Sequence, residues 1–163
     1  MINIVLVEPE IPQNAGNVLR TAAVTGCHVY FVKPLGFELS DKHLKRAGMD
    51  YISHSDFDII ESLDELIKAH PHGKFFFATT KAKHRYDQVS YPDGAFVVFG
   101  KESFGLPERV IKANYDSSIR IPMLSFARSL NLSNSVAIIT YEALRQQGFC
   151  GFKTEGELTG RID

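Results

Sequence analysis

An apolar run leads directly into a glycine-containing loop at Ala95-Phe96-Val97-Val98-Phe99-Gly100-Lys101-Glu102-Ser103-Phe104-Gly105-Leu106-Pro107. Residues 95–99 are apolar without alternation, which is typical of a strand buried on both faces of a parallel sheet. Ligands bind open α/β sheets at the carboxyl ends of the strands, where the loop at 100–107 would lie. Two interpretations stay open: a ligand site, or a strand-to-helix turn in which Gly105 supplies an unusual backbone angle and Pro107 starts the helix.

Strands and helices are predicted to alternate along the chain. Runs rich in β-branched and aromatic residues predict strands at residues 2–7, 28–33, 74–79, 95–99 and 118–121. Stretches of helical period predict helices at residues 14–25, 41–47, 62–70, 107–114 and 133–147. The pattern predicts an α/β fold, with a mainly parallel sheet and helices on both faces, in one domain at 1–163. From about residue 149 onward we expect a flexible tail.

Composition excludes several classes of protein. The 163 residues are 44% hydrophobic and 23% charged, as in a soluble globular protein, and no segment is long enough to cross a membrane. Cys27 and Cys150 match neither a zinc motif nor a disulfide scaffold, and no signal peptide is recognised, so we expect a cytoplasmic protein. The six histidines do not cluster, and four of them, His28 among them, are isolated with no carboxylate at ligand spacing, so no metal site is expected.

The first predicted helix carries a polar stripe. At about 100° per residue, Asn14, Asn17, Arg20 and Thr21 fall within one arc, opposite an apolar one. Arginine suits phosphate oxygens, because its planar guanidinium donates several hydrogen bonds and keeps its charge. The alternative is a solvated helix face that starts with an N-cap asparagine.

Small polar residues crowd the start of the last predicted helix, in the segment Arg128-Ser129-Leu130-Asn131-Leu132-Ser133-Asn134-Ser135. Capping a helix needs only one or two such residues, so the surplus favours a binding site. The helix that follows is apolar nearly all round. This pattern indicates either a central core helix or a helix that a second subunit covers on its other face.

Taken in order along the chain, these motifs resemble the signature of the SPOUT RNA methyltransferases, and more narrowly of their TrmL/YibK-like branch. The matching segments are 12–21, 99–107, 121–123 and 129–135, with minor matches at 8–12, 45–51 and 141–143. The resemblance implies a deep trefoil knot in the C-terminal third, a homodimer and S-adenosylmethionine as cofactor. It also implies 2′-O-methylation of the wobble nucleotide, a cytidine or a carboxymethylaminomethyluridine, in leucine tRNA anticodons.

The resemblance further implies roles for individual residues. The cofactor would be held by Ala78, Thr79, Gly100, Glu102, Ile121, Ser129 and Leu130. Arg20 matches the arginine associated with catalysis, with Asn14, Asn17 and Asn131 around it. We expect Arg20 of one subunit to act on the cofactor bound by the other, which places the active site at the subunit interface.

Basic residues that could contact tRNA phosphates occur in two groups. Lys81, Lys83 and Arg85 follow a predicted strand whose end should line the cofactor site, and a second group lies at residues 42–46. Carboxylates at 56–65 offset them, so the net charge of −1 excludes only indiscriminate, charge-driven binding. Either group could instead be a solvated charged loop.

Two other functions stay open. One is a SPOUT methyltransferase that acts on another tRNA position or on ribosomal RNA. The other is a non-catalytic α/β module that binds a nucleotide or RNA. Methyl transfer from labelled cofactor to bulk tRNA separates these alternatives.

Overall fold

The computed structural model describes residues 1–38 and 55–158. In this part of the chain the strands are β1 (Asn3–Val7), β2 (His28–Val32), β3 (Phe57–Ile60), β4 (Phe75–Ala78), β5 (His84–Arg85), β6 (Phe96–Phe99) and β7 (Ser118–Arg120). The helices are α1 (Pro12–Thr25), α2 (Leu63–Ala69), α3 (Glu108–Ala113), the 3₁₀ helix Tyr115–Ser117, and α4 (Leu132–Gln146). The helix predicted at 41–47 and the basic group at 42–46 lie outside the described residues.

The strands form one sheet in the order β3-β2-β1-β6-β4-β7-β5. Every neighbouring pair is parallel, which confirms the predicted α/β architecture. Because β6, β4 and β7 lie side by side, the loops that follow them meet at the same edge of the sheet. Three segments that are distant in sequence therefore become neighbours.

The two edge strands, β3 and β5, were not predicted from the sequence. The side chains of β3 are half-buried or exposed and include Asp58, and β5 has only two residues. Neither strand carries the apolar pattern of a buried strand. Backbone pairing with β2 and with β7 defines them instead.

Helices cover both faces of the sheet, as predicted. Along β1, Ile4 and Leu6 pack in the cluster that includes α1 and α4, whereas Val5 and Val7 pack in the cluster that includes α2 and α3. Successive side chains of a strand point to opposite faces, so a strand covered on both sides must be apolar at every position.

Two helix caps follow directly from local sequence. The Ser62 hydroxyl accepts a hydrogen bond of 3.2 Å from the backbone N–H of Glu65, at the start of α2. Gly26 ends α1 in the left-handed conformation, with φ of 68°. Both signals are local, so the sequence contains all the information that they need.

The described α-helices start one or two residues away from the predicted positions. α1 begins at Pro12 and its N-cap is Ile11, so the interpretation of Asn14 as an N-cap is wrong. Proline fits the first helical position because the N–H that it lacks has no partner there. Pro107 lies one position earlier than predicted, as the N-cap of α3, with ψ of 138°.

α4 is covered by its own chain over only part of its circumference. Val136, Ile139 and Ala143 are buried in the cluster shared with α1. On the other side, Ile138 and Tyr141 expose 36% and 45% of their surface. A helix buried all round within a single chain is therefore excluded.

The chain continues past α4 as a turn. The Phe149 N–H donates to the Leu144 carbonyl at 3.0 Å, and the rings of Phe149 and Phe152 lie 6.0 Å apart. A flexible tail from about residue 149 stays a prediction. Among the described helices, none combines the length and the apolar character needed to span a membrane.

Candidate functional site

A cavity of about 500 Å³ lies at the carboxyl edge of the sheet. Its walls come from the segments that follow β1, β4, β6 and β7, together with the start of α4. This volume is typical of sites for small molecules, and open α/β sheets bind ligands at this edge.

The loop after β6 folds back on itself to form one wall. Gly105 has φ of 69°, and its N–H donates to the Lys101 carbonyl at 2.9 Å. A Cβ atom on Gly100 would lie 2.1 Å from the backbone of Gly105 and of Leu106, so only glycine fits at this position. The special turn is therefore present and is also a wall of the cavity. A ligand bound at this loop stays a prediction.

The carboxylate of Glu102 ties this loop to the start of α1. It accepts hydrogen bonds from the N–H groups of Glu10 and Ile11, at 2.9 and 3.2 Å, and from the Asn14 side-chain amide at 2.9 Å. With three donors on its two oxygens, the carboxylate holds the loop in position. Direct contact between Glu102 and a cofactor stays a prediction.

The hydrogen-bond network continues from α1 to α4. Asn14 is 5% exposed, and its Oδ1 accepts from the Asn131 Nδ2 at 3.0 Å. Asn131 in turn accepts from the Ser133 hydroxyl at 2.8 Å and the Asn134 N–H at 3.2 Å, which makes it the N-cap of α4. Three walls of the cavity are thus connected by side-chain hydrogen bonds.

Two further contacts clamp the loop to the segment after β1. Lys101 forms an ion pair with Glu8, and this contact raises the pKa of the lysine. Ser103 donates from its N–H and its hydroxyl to the Glu10 carboxylate, at 3.0 and 2.8 Å. These roles of Glu8 and Glu10 were not predicted, because no local pattern shows that their side chains reach the loop after another strand.

Most of the predicted site residues line the cavity. They are Asn14, Ala78, Thr79, Lys81, Gly100, Glu102, Ile121, Ser129, Leu130 and Asn131. Asn17 and Arg20 are exposed on α1 and do not line the cavity of their own chain. Lys83 and Arg85 also lie outside it.

Some cavity residues were predicted only as members of a motif, with no role of their own. Arg128, Met123 and Leu106 all line the cavity. The signal that could have found Arg128 is its position at the head of the polar segment before α4. Leu106 is 3% exposed and reads in the sequence as an ordinary core residue.

The predicted RNA-binding cations are engaged in exposed ion pairs. The pairs are Lys81 with Glu108 at 3.1 Å, Lys83 with Asp116 at 2.8 Å, and Arg85 with Asp87 at 2.6 Å. Hydrogen bonds to the partner carboxylates raise the pKa of Lys83 and of Arg85. Exposed pairs of this kind contribute little to stability, so the cations can exchange partners.

No group of three or more His, Cys, Asp and Glu side chains within residues 1–38 and 55–158 is arranged to hold a metal ion. One expectation about the histidines is wrong. His28 is flanked by carboxylates, with Nδ1 2.9 Å from Asp56 and Nε2 3.3 Å from Asp58. The parallel pairing of β3 with β2 places these aspartates beside His28.

Known proteins are similar to this chain in sequence and in fold. The model of the SpoU rRNA Methylase family matches residues 1–141. A tRNA (cytidine(34)-2′-O)-methyltransferase from Saccharophagus degradans is 44% identical over 154 residues, which cover 94% of this chain and 100% of the relative. A solved structure described as giving structural insights into the 2-OH methylation of C/U34 on tRNA is 42% identical, with a TM-score of 0.86 over 91% of this chain and 97% of that chain.

A more distant neighbour shows the fold alone. It is the SpoU methyltransferase AviRb from Streptomyces viridochromogenes, solved in complex with AdoMet. Its sequence is 20% identical, and the TM-score is 0.78 over 89% of this chain and 57% of that chain.

Proposed function

This chain belongs to the SpoU rRNA Methylase family, and we propose that it methylates the ribose 2′-oxygen of nucleotide 34 in tRNA, with S-adenosylmethionine as the methyl donor. The observation that carries the proposal is the cavity, because the motifs of the resemblance, distant in sequence, form its walls. The relative from Saccharophagus degradans, which aligns over its whole length, is named for this reaction.

The residues of the cavity fit S-adenosylmethionine. Leu106, Ile121 and Leu130 provide apolar surface for a flat purine ring, and Ala78 and Thr79 also line the cavity. At Gly100, the absence of a side chain lets two stretches of backbone pack closely. When bound, the cofactor supplies a methyl group that its sulfonium already activates.

The protein must then align the ribose hydroxyl and stabilise the charge that develops on its oxygen. Arg20 suits this role, because a guanidinium donates several hydrogen bonds and remains protonated. The same property means that Arg20 is not the general base. In this proposal a phosphate of the substrate or a water molecule accepts the proton.

The proposal includes a homodimer in which Arg20 of one chain completes the cavity of the other. Arg20 lies on the exposed side of α1, outside its own cavity. Val24 on α1 is 48% exposed, and Ile138 and Tyr141 on α4 are also partly exposed. Exposed apolar side chains on two helices that pack together are typical of a subunit interface.

We also propose that the C-terminal third forms a deep trefoil knot, as the resemblance implies. In support, residues on both sides of the β7–α4 connection wall the cavity beside the loop after β6. α4 then packs in the same cluster as α1. Knots are rare in proteins, and a crystal structure traced through residues 121–131 tests for this one.

The phosphates of the substrate are assigned to Lys81, Lys83 and Arg85. Lys81 lines the cavity, and Arg85 lies in β5, beside β7. Each of the three cations contacts an exposed carboxylate. A phosphate can replace such a carboxylate at little cost, because both the old and the new pair are solvated.

The substrates in this proposal are cytoplasmic leucine tRNAs with cytidine or carboxymethylaminomethyluridine at position 34. The test is incubation of the purified protein with bulk tRNA and labelled cofactor, followed by nuclease mapping. Label on the ribose of nucleotide 34 is expected. Label at another position of the tRNA, or no label on tRNA, contradicts the proposal. Mass spectrometry of leucine tRNAs from cells lacking the protein tests the choice of tRNA.

A further inference from the structure

Two phenylalanine side chains beside the cavity are almost fully exposed. Phe104, in the loop after β6, is 87% exposed, and Phe126, in the segment between β7 and α4, is 83% exposed. A phenylalanine that stays in water gains almost none of the free energy that burial provides. Folding of the single chain therefore does not explain either residue.

Phe104 occupies the tip of a tight turn in one wall of the cavity. The bridge between Lys101 and Gly105 closes this turn and leaves Phe104 at its end. Phe104 also belongs to the residues that line the cavity. Phe104 thus lies at the cavity while most of its surface remains in water.

Phe126 occupies a comparable turn in the segment between β7 and α4. The N–H of Ala127 donates to the Leu124 carbonyl at 3.0 Å, which closes a turn with Phe126 inside it. Met123 and Arg128, on either side of this turn, both line the cavity. The turn is therefore held at the cavity wall from both ends.

Cations accompany the two rings. Arg128 and Lys81 line the same cavity as Phe104. Proteins that hold single-stranded nucleic acid combine such cations, which contact phosphates, with aromatic rings that stack on successive bases. An apolar protein partner would not need cations at the same surface. The positive charge of Lys81 and Arg128 therefore favours RNA as the occupant.

We propose that Phe104 and Phe126 stack on unpaired bases of the RNA substrate that flank the nucleotide entering the cavity. This inference rests on the proposed function, because an anticodon loop offers unpaired bases on either side of nucleotide 34. Two stacking rings at the cavity would favour such a loop over a duplex, whose bases already stack on one another. The aromatic turns thus help to select the substrate class.

Fluorescence tests the stacking directly, since the chain contains no tryptophan. Phe104→Trp and Phe126→Trp each introduce one reporter, and a base that stacks on the indole quenches its emission. We expect quenching when an RNA hairpin with the anticodon loop is added, and less with a fully paired duplex of the same length. Ile59→Trp, at a 39% exposed position on edge strand β3, is the control and should not respond.

Kinetics test whether stacking matters to the reaction. Phe104→Ala and Phe126→Ala should each raise the KM for tRNA by roughly 5- to 150-fold, with no change in the KM for S-adenosylmethionine. Phe104→Tyr should retain the wild-type KM, because the ring remains. Phe104→Leu should behave like the alanine variant, because it retains apolar surface but no flat ring.

The outcomes separate this inference from the proposed function. If the wild type methylates nucleotide 34 but the alanine variants keep its KM for tRNA, stacking is wrong and the function stands. If the wild type transfers no methyl group to tRNA, the proposed function fails. The fluorescence test then decides the inference by itself: quenching of the tryptophan variants by the hairpin supports stacking, and no quenching contradicts it. Conversion of the alanine variants to monomers in sedimentation would overturn stacking and assign the rings to an interface between two copies.

Discussion

The side-chain amide of Asn131 donates a hydrogen bond of 3.0 Å to the Oδ1 atom of Asn14, across 117 positions of sequence. The Nδ2 of Asn14 donates in turn to Glu102. The orientation of the Asn14 amide is therefore fixed from both sides. This one buried side chain connects the start of α1, the start of α4 and the loop after β6.

Asn14→Asp should destabilise the protein and weaken cofactor binding. The new carboxylate would face Glu102 without a donor between them, at a position that is 5% exposed. Leaving buried polar groups without partners costs about 1–3 kcal/mol, measurable by urea denaturation. Gln13→Glu adds the same charge at an exposed position of α1 and should change stability by less than about 0.5 kcal/mol. Equal effects of the two variants would contradict the role of the network.

Gly100→Ala should disrupt the cavity. Its Cβ would lie 2.1 Å from two backbone atoms, so the loop has to move. Overpacking of this kind typically costs about 1–3 kcal/mol, and we expect a lower melting temperature together with loss of cofactor binding in calorimetry. Gly156→Ala is the matched control, because no atom lies within 4 Å of its Cβ position. Normal cofactor binding by Gly100→Ala would show that the loop does not form the site.

Arg20→Ala should fold and bind cofactor but lose about 100- to 1,000-fold in methyl transfer, as expected for removal of a donor that stabilises the transition state. Mixed dimers test whether Arg20 acts across the interface. Leu130→Glu should block the cavity while leaving Arg20 intact. When the two inactive variants are unfolded and refolded together, activity should return, because the cavity of the Arg20→Ala chain receives Arg20 from its partner. No recovery in dimers shown to be mixed would place Arg20 in the cavity of its own chain.

Reversal of charge at Lys81, Lys83 and Arg85 to glutamate should weaken tRNA binding. If each cation contacts a phosphate, the slope of log affinity against log salt concentration is negative, and its magnitude should decrease by about 2 in the triple variant. Filter binding at several salt concentrations measures this slope. Lys68→Glu, on α2, is a control for charge reversal at an exposed position. An unchanged slope in the triple variant would remove the cluster from the RNA-binding surface.

Tyr91 should make the protein sensitive to alkali. Burial raises the pKa of its hydroxyl above the ordinary value of 10.0, and the hydroxyl donates to the Tyr86 carbonyl at 2.6 Å. The unfolded chain therefore releases this proton first, so the contribution of Tyr91 to stability is complete below pH 10 and is lost above it.

The matching variant is Tyr91→Phe. This substitution should lower the free energy of unfolding by about 1 kcal/mol at pH 7, because the hydrogen bond is lost. Above pH 10 the difference in free energy of unfolding between the wild type and the variant should become smaller. Urea denaturation at several pH values measures this difference. A gap that is constant at all pH values would contradict the assignment.

The sheet and the covering of its two faces were predictable, because they depend on periodicity. A strand such as β6, with every residue buried, is apolar throughout, and the capping residue Ser62 contacts a residue three positions away. The edge strand β3 was missed because its identity depends on β2 and not on its own residues. For the same reason the carboxylates beside His28 were missed.

The candidate site was predictable only as a set of motifs. Gly100 and Asn131 belong to segments whose composition is unusual for a simple turn or cap, and both line the cavity. The partners of Glu102 were not predictable, because a carboxylate has the same local appearance whether it faces solvent or three donors. Exposure of Phe104 and Phe126 is equally invisible in the sequence, since an exposed and a buried phenylalanine read alike.

The amino-acid sequence by itself determined the α/β class, the two-sided packing and the segments that line the cavity, because apolar period, caps and turns act over a few residues. The tertiary structure decided which of those segments meet. Glu102 reaches Asn14 across 88 positions and Asn14 meets Asn131 across 117, and only the strand order of the sheet sets these pairings. Whether a polar side chain caps, clamps or faces solvent depends on that order, and local pattern does not contain it.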